Sequence, residues 1–537
     1  MRGVRGIGLV ALLVMGCAKF TAVDGDGGIP SDFSLEVGAT QRITQGTTVT
    51  VPISVVRSET SASDIRITMN DAPAGVTAAL LVIPATATTG NLEITVGMTA
   101  PQGPFNVNLQ ASEAGTSMST TTSLPLFVRG PAGSPDTTFA KNGWLMFGGT
   151  TFPSSAMTAF VSGDDSIFVM GGCSNGQTGS AACVARLTPE GALDTAYGKS
   201  GIAWLQAGFT QMDAVLLPDG RMIVGGGSSG KAAYIVVTAE GIVGSPIVVG
   251  PPVGKPSTIQ PGASIQSMAL APDGSVAVVF DAKITNNTAA VMGITKLTNG
   301  GQIDTTFGTN GLASADFSTD ANNPVASSYS NGVAVRPSTG KIVIAGSWCA
   351  SSECSASSGY GILQLNSSGN TYDTSFGQSG AGGRALFTTG NKGAGGTGAV
   401  LLPDGRVISP TGDTNGTVVA FAADGSGLDQ AFGTAGYFSV KSDTTDPPRI
   451  SLDDRNRLLA ATGATNSLGS VSRITIAGVN DPSFGSNGYA AIPLPTPIPP
   501  AQSALARVQQ DGRIVVFSEV ADPTSAALSV VVSRLWN

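Results

Sequence analysis

The feature that most constrains this chain is a short hairpin that returns seven times. One copy reads Ala399-Val400-Leu401-Leu402-Pro403-Asp404-Gly405-Arg406-Val407-Ile408, and another Ala214-Val215-Leu216-Leu217-Pro218-Asp219-Gly220-Arg221-Met222-Ile223. Aliphatic, β-branched runs read as strands. Between them Pro presets the backbone, Asp bonds its own following N–H and Gly accepts a positive φ, so the run must reverse. Related turn regions fall at Gly163-Asp164-Asp165, Pro272-Asp273-Gly274, Pro337-Ser338-Thr339-Gly340, Asp453-Asp454-Arg455-Asn456 and Gln510-Asp511-Gly512, at intervals of about 50 to 66 residues. A period of that length marks a repeat architecture.

A second motif alternates with the hairpin. It reads Asp136-Thr137-Thr138-Phe139, Asp194-Thr195-Ala196-Tyr197-Gly198, Asp304-Thr305-Thr306-Phe307-Gly308, Asp373-Thr374-Ser375-Phe376-Gly377, Asp429-Gln430-Ala431-Phe432-Gly433 and Asp481-Pro482-Ser483-Phe484-Gly485. The copy expected near Ile242 has decayed. Together the two motifs resemble the delta-60 repeat, a bacterial propeller-type family, over about 400 residues. That resemblance implies a fold and carries almost no activity.

Each repeat supplies four strands. In the fourth copy these are 332–336, 341–346, 359–365 and a strand after the Asp373 turn. Four-stranded sheets repeated seven times predict a seven-bladed β-propeller over 134–537, in preference to a β-solenoid. The chain ends predict how the ring closes. The last repeat stops at Ser533-Arg534-Leu535-Trp536-Asn537 without a fourth strand, and the first Asp-x-x-Phe motif precedes any first strand. Residues 143–147 are therefore expected beside 529–536 in one mixed blade. Alternating strand direction places the two regular turns on one face. The irregular connections, 250–264, 316–331, 385–397, 440–448 and 492–500, fall on the other. Variable loops on a rigid scaffold are common binding surfaces, and tolerated insertions are an equal alternative.

Ahead of the repeats, 32–129 holds seven strand-like runs, with alternation clear in Leu92-Glu93-Ile94-Thr95-Val96 and no cysteine. Seven strands in about 100 residues predict a β-sandwich resembling bacterial Ig-like modules, without the inter-sheet disulfide. The fold class expected is all-β, an Ig-like sandwich followed by the propeller.

The N-terminus reads as an export signal. Arg2 and Arg5 precede an apolar core, Ile7 to Met15, too short to span a bilayer. Val14-Met15-Gly16-Cys17 resembles a bacterial lipobox, with Met15 where a small residue is usual. The resemblance implies cleavage after residue 16, lipidation of Cys17 and a tether over 17–31. Ala18 is not the Asp of inner-membrane retention, so the expected address is the outer membrane, periplasmic or surface-exposed.

Composition excludes several chemistries. The chain has no histidine, which removes Ser-His-Asp and Cys-His catalysis and His-bound metals. Its net charge of −8 is unclustered, and no basic stripe suits nucleic acid. Each Asp-x-x-Phe-Gly turn offers one carboxylate, too few for calcium, so the Asp reads as a turn-maker. No metal or other cofactor is expected. Cys173 with Cys183, and Cys349 with Cys354, are expected as disulfides within their own repeats. Trp348, beside Cys349 at an irregular loop, is the candidate ligand contact; Trp144, Trp204 and Trp536 read as packing.

The expected function is a non-enzymatic, lipid-anchored envelope protein that binds protein or polysaccharide, with the sandwich as a spacer. The alternative is a carbohydrate-active or lactonase-like hydrolase using carboxylates in the central channel, and convergent carboxylates there would favour it. A purely structural envelope component is a third reading.

Overall fold

The computed structural model describes residues 33–147, 158–174, 180–251, 257–285, 290–318, 327–350, 358–379, 381–388, 398–411, 416–442, 444, 446–495, 498–521 and 528–537. These residues hold strands and one 3₁₀ turn, Phe139–Lys141, and no α-helix. The chain divides into two compact units, Met1–Phe127 and Val128–Asn537.

The described part of the first unit has two antiparallel sheets. One orders the strands Phe33–Val37, Thr48–Arg57, Thr89–Val96 and Val76–Ala78; the other orders Gln41–Thr44, Ser119–Arg129, Gly103–Glu113, Ile65–Asn70 and Leu81–Ile83. Buried and exposed residues alternate along Thr48–Arg57 and Thr89–Val96, the signature of sheets with one inward face. The run 76–83, one of the seven strand-like runs of the sequence and expected as a single strand, is two. Val76 and Ile83 are both buried, yet they are seven positions apart. A continuous strand of period two would put them on opposite faces. The chain instead breaks: Val76–Ala78 pairs with Thr89–Val96, and Leu81–Ile83 crosses to pair with Ile65–Asn70. The short strand Gln41–Thr44 was not expected; only Ile43 in it is buried, so it carries little pattern.

The second unit is built from repeated antiparallel units of four strands. One sheet runs Phe209–Leu216, Met222–Ser228, Lys231–Val237, Ile247–Val248, in chain order. Three others repeat that order: 158–204, 400–439 and 449–491. An eight-stranded sheet is two such units, Ile259–Ala315 and Ser327–Thr388, joined by a single parallel pair, Ala290 with Ser327. The remaining sheet is composite. Ala501–Val508, Ile514–Ala521 and Leu528–Leu535 come from the end of the chain. Its fourth strand, Trp144–Phe147, pairs antiparallel with the last, Trp144 opposite Ser533 and Phe147 opposite Val530. This is the shared sheet expected from the unequal chain ends.

The first strands neighbour one another in a closed ring. Ala501–Val508 lies beside Thr158–Val161, followed by Phe209–Leu216, Ile259–Leu270, Ser327–Val335, Val400–Leu401 and Arg449–Leu452, which returns to Ala501–Val508. Sheets stand outward from that ring and pack face to face. Phe168, Met170 and Val184 of one share a core with Ala214, Met222 and Val224 of the next. Second strands are covered on both sides, which is why Ile342–Cys349 is buried at every residue and reads as an unbroken apolar run. Each fully buried aliphatic side chain contributes roughly 1.5–3 kcal/mol.

The Asp-x-x-Phe-Gly motif fastens neighbours together. Its Gly N–H donates to a carbonyl in the next sheet: Gly198 to Glu240 (2.8 Å), Gly308 to Ser368 (2.7 Å), Gly377 to Asp424 (2.8 Å), Gly433 to Ala477 (2.9 Å) and Gly485 to Ala132 (2.9 Å). Ala140 N–H does the same to Glu190 (2.8 Å). The motif's aromatic ring lies under a turn glycine of the neighbour. A Cβ on Gly425 (φ +70°) would run into the Phe376 ring, and one on Gly369 (φ +72°) into Phe307. Where the motif has decayed, another residue takes its place: the Tyr234 hydroxyl donates to Gly301 O at 3.0 Å.

Candidate functional site

Two groups of charged residues distinguish the second unit, and their local structures differ. The first sits on the turns. Asp481 accepts from Ser483 N–H and hydroxyl, from Arg473 Nε (2.9 Å) and from Arg457 Nη1 (2.9 Å). Asp429 accepts from Arg406 Nη1 at 2.7 Å, and Asp373 from Lys341 Nζ at 2.6 Å. Asp136, fully buried, takes Arg534 Nε (2.7 Å) and Arg513 Nη1 (3.2 Å) on one oxygen and Thr138 N–H on the other. Burial works against the Asp481 carboxylate, but Ser483, Arg473 and Arg457 outweigh it and hold the group at about 2. The same opposition, won by Lys341, Ser375 and Gln364, holds Asp373 well below the ordinary range. Rings stack on the same cations: Arg534 lies 4.8 Å from the centre of Phe139, and Arg473 4.5 Å from that of Phe484. These groups are spent on one another. Their role is to bind the two turns of a repeat together, as the turn-maker reading of the Asp implies.

The second group lies on and beside the ring of first strands. Asp213 is on Phe209–Leu216, just after a bulge between Gln211 and Asp213 that re-aims the strand. Its carboxylate accepts from Ala214 N–H (2.8 Å) and Met268 N–H (2.8 Å). Burial pushes it up to about 6, with those N–H groups and the Arg507 charge only partly compensating. Arg507, on Ala501–Val508, donates Nε to Ala159 O (2.7 Å) and Nη1 to Ala506 O (2.8 Å). Burial lowers it to about 10; Asp213 opposes that and Arg449 adds to it. Arg449 is lowered by burial against the pull of Glu519 and Asp446. Beside these, Gln266 Nε2 donates to Asp281 at 2.9 Å, and burial raises Asp281. Asp213, Gln266, Asp281, Arg449 and Arg507 are each partly reached by solvent. A cleft of about 390 Å³ opens where three first strands end in their turns, between Val161–Gly163, Leu452–Asp454 and Val508–Gln510. Among the described residues no three carboxylates or cysteines converge as a metal site.

The residues singled out from the sequence are placed as follows. Cys173 and Cys183 form a disulfide across one hairpin, Cα atoms 5.8 Å apart, as the within-repeat pairing predicts. Cys354 and Cys17 lie outside the described residues, as do the middles of the loops at 252–256, 319–326 and 389–397. Trp348 is corrected from a loop residue to a strand residue. The strand Ile342–Cys349 carries it into the core, 9% exposed, with its indole N–H donating to Tyr360 O at 3.1 Å. Its apolar surface is used in packing against the neighbouring sheet. Asp213 and Arg507 were missed. Aligned on the turn, Asp213 stands where another copy has Gly398, and Arg507 where others have Val215 and Val400. A charge replacing a glycine at Asp213 and an aliphatic residue at Arg507 was the available signal.

The arrangement defines the class: an all-β, propeller-type protein with charged residues on its ring of first strands. Residues 163–197, which include one second-to-third strand hairpin and the Tyr197 motif, match the family model described as a domain of unknown function (DUF5122) beta-propeller. Solved structures are similar at low identity. Prolyl oligopeptidase B from Galerina marginata, apo protein, is 10% identical with a TM-score of 0.35, covering 77% of this chain and 54% of that one, so the chain spans about half of that protein. An N-acetylgalactosamine deacetylase from F. plautii, in complex with blood group B trisaccharide, is 11% identical with a TM-score of 0.23, covering 67% and 94%. The SrpA adhesin from Streptococcus sanguinis is 12% identical with a TM-score of 0.16, covering 32% and 97%. No curated protein matches the sequence.

Proposed function

We propose that this chain is a lipid-anchored, outer-membrane envelope protein. Its seven-bladed propeller of delta-60-like repeats binds a protein or polysaccharide without chemistry, and an Ig-like spacer holds it off the membrane. The observation that carries the binding reading is the contrast between the two charged groups. The turn carboxylates Asp136, Asp373, Asp429 and Asp481 are each held by an arginine or lysine, whereas Asp213 and Arg507 on the ring of first strands lie beyond ion-pair contact with each other. Support for a ring of seven comes from the closed succession of first strands and the Gly485–Ala132 bond. For the spacer it comes from the two sheet orders of the first unit. For the anchor it comes from the leader and Cys17.

The test is a screen of the full chain, purified in detergent, against arrays of glycans and envelope proteins. Specific capture at micromolar affinity is expected; no capture with retained folding counts against binding. Cys17→Ser should move the protein from the membrane to the soluble fraction, because lipid is the anchor. Retention after a salt wash counts against the anchor.

A second reading, a carboxylate hydrolase in the channel, draws on one observation: the Asp213 carboxyl is raised to about 6, toward the range useful for acid–base work. Turnover of an arrayed glycan that Asp213→Asn abolishes would favour it.

A further inference from the structure

The arginines of the second unit are used in two ways. Arg186, Arg221, Arg384, Arg406, Arg457, Arg473, Arg513 and Arg534 each contact a carboxylate within 3.4 Å. Arg507 does not. Its hydrogen bonds go to the carbonyls of Ala159 and Ala506, which fix the side chain from one edge and leave its charge uncompensated at contact range. A guanidinium has five N–H donors in a planar fork. The charges that act on it are another cation, Arg449, and the carboxylate of Asp213. Glu519, on the strand Ile514–Ala521, offsets Arg449 and is itself held by the Ser503 hydroxyl at 2.6 Å. Partly buried charges of opposite sign, each held by its own backbone bonds, suit a ligand that inserts between them. Such a ligand must present an anion to the guanidinium and a hydroxyl to the carboxylate. On the first strand next to that of Asp213, Gln266 with its partner Asp281 offers further hydroxyl partners, and the strand after that exposes Tyr329, an aromatic face of the kind that sugar C–H groups cover. That combination is the chemistry of an acidic sugar.

We propose that the axial channel is a binding site for a uronate residue of an acidic polysaccharide, its carboxylate on Arg507 with support from Arg449 and a ring hydroxyl on Asp213. The assignment rests on the binding reading above and names its ligand class. The probes are tetragalacturonate, its fully methyl-esterified form, acetate and inorganic phosphate, titrated calorimetrically into the full chain in detergent. Tetragalacturonate is expected to bind. The ester, and the variant Arg507→Gln, are each expected to bind about tenfold or more weakly, the loss expected for one charge-assisted hydrogen bond. Asp213→Asn should weaken binding several-fold. If Arg507→Gln melts well below the parent, Arg449→Gln gives the same reading. Equal binding of the ester, acetate or phosphate as tight as the tetramer, or no binding, overturns the site. A protein or neutral glycan captured in the screen and indifferent to Arg507→Gln also overturns it, yet leaves the binding reading standing. Cleavage of the tetramer would support the site while overturning the non-enzymatic reading.

Discussion

Asp136 and Asp213 are the same side chain in the same ring of sheets, both within reach of arginine, and they end in different situations. Asp136 touches two guanidiniums and is sealed from water. Asp213 touches none; it takes two backbone N–H groups and is partly wet. The difference lies in which strand carries the residue. Asp136 belongs to the repeated turn motif, where the third strand of the same sheet brings Arg534 alongside. Asp213 sits on the inner strand, where the nearest cation projects from a different sheet and is held back by Ala159. Repetition places charges to satisfy one another, and departures from the repeat leave them available.

Breaking the turn-face side should have the larger effect. Asp136→Ala would leave Arg534, 1% exposed, without its counter-charge. The expected cost is about 3–5 kcal/mol, read as a lowered denaturant midpoint; a loss under about 1 kcal/mol would mean the pair is not what closes the sheet. Gly425→Ala comes next. It forces φ +70° on an alanine and presses its Cβ into the Phe376 ring, at a cost of roughly 2–4 kcal/mol. Thermal melting measures it, and an unchanged melt would show that the fastening between these sheets is loose. Tyr234→Phe removes the substitute bond at the junction where the motif has decayed. About 1 kcal/mol is expected.

The smallest effect, and the one that sharpens the contrast, is pH dependence. Asp373 and Asp481 are held below the unfolded range near 4. Their stabilisation is full above that range and lost as pH falls, for Asp481 through about 2. Asp213 has the opposite sign. Its folded state favours the protonated form, so its contribution is full below about 4 and is lost as pH rises through about 6. Asp213→Asn removes this titration, at the cost of one of the two acceptors for the Ala214 and Met268 N–H groups. It should therefore flatten the stability profile between pH 4 and 6. A profile that stays the same in the variant would place the titrating group elsewhere.

Much of the fold was legible because the repeat states its turns outright. Pro403-Asp404-Gly405 and Asp429 to Gly433 name the ends of strands, and the unmatched motif at Asp136 pointed to the composite sheet. The cysteine hairpin followed from spacing alone. What escaped lacked a period. The sheet change between Ala78 and Leu81 is decided by which core each side chain joins. Trp348 looked available beside a loop; neighbouring sheets bury both sides of its strand, which local sequence does not register. The charges on the ring of first strands stayed hidden because Asp213 and Arg507 are far apart in the chain and belong to no motif. Only ring closure brings them within each other's field.

The composite sheet also sets a schedule. Asp136 is made early, and the guanidinium that neutralises it comes 398 residues later. A growing chain therefore carries a polar group whose burial cannot be completed until Arg534 has been made. Contacts of such long sequence separation slow folding and defer commitment. A fragment stopped before Arg534 would keep an unpaired strand edge, open to protease and to strangers. Closure of the composite sheet thus waits on one late strand: a chain that stops short of Leu528–Leu535 cannot shut Trp144–Phe147 into its sheet.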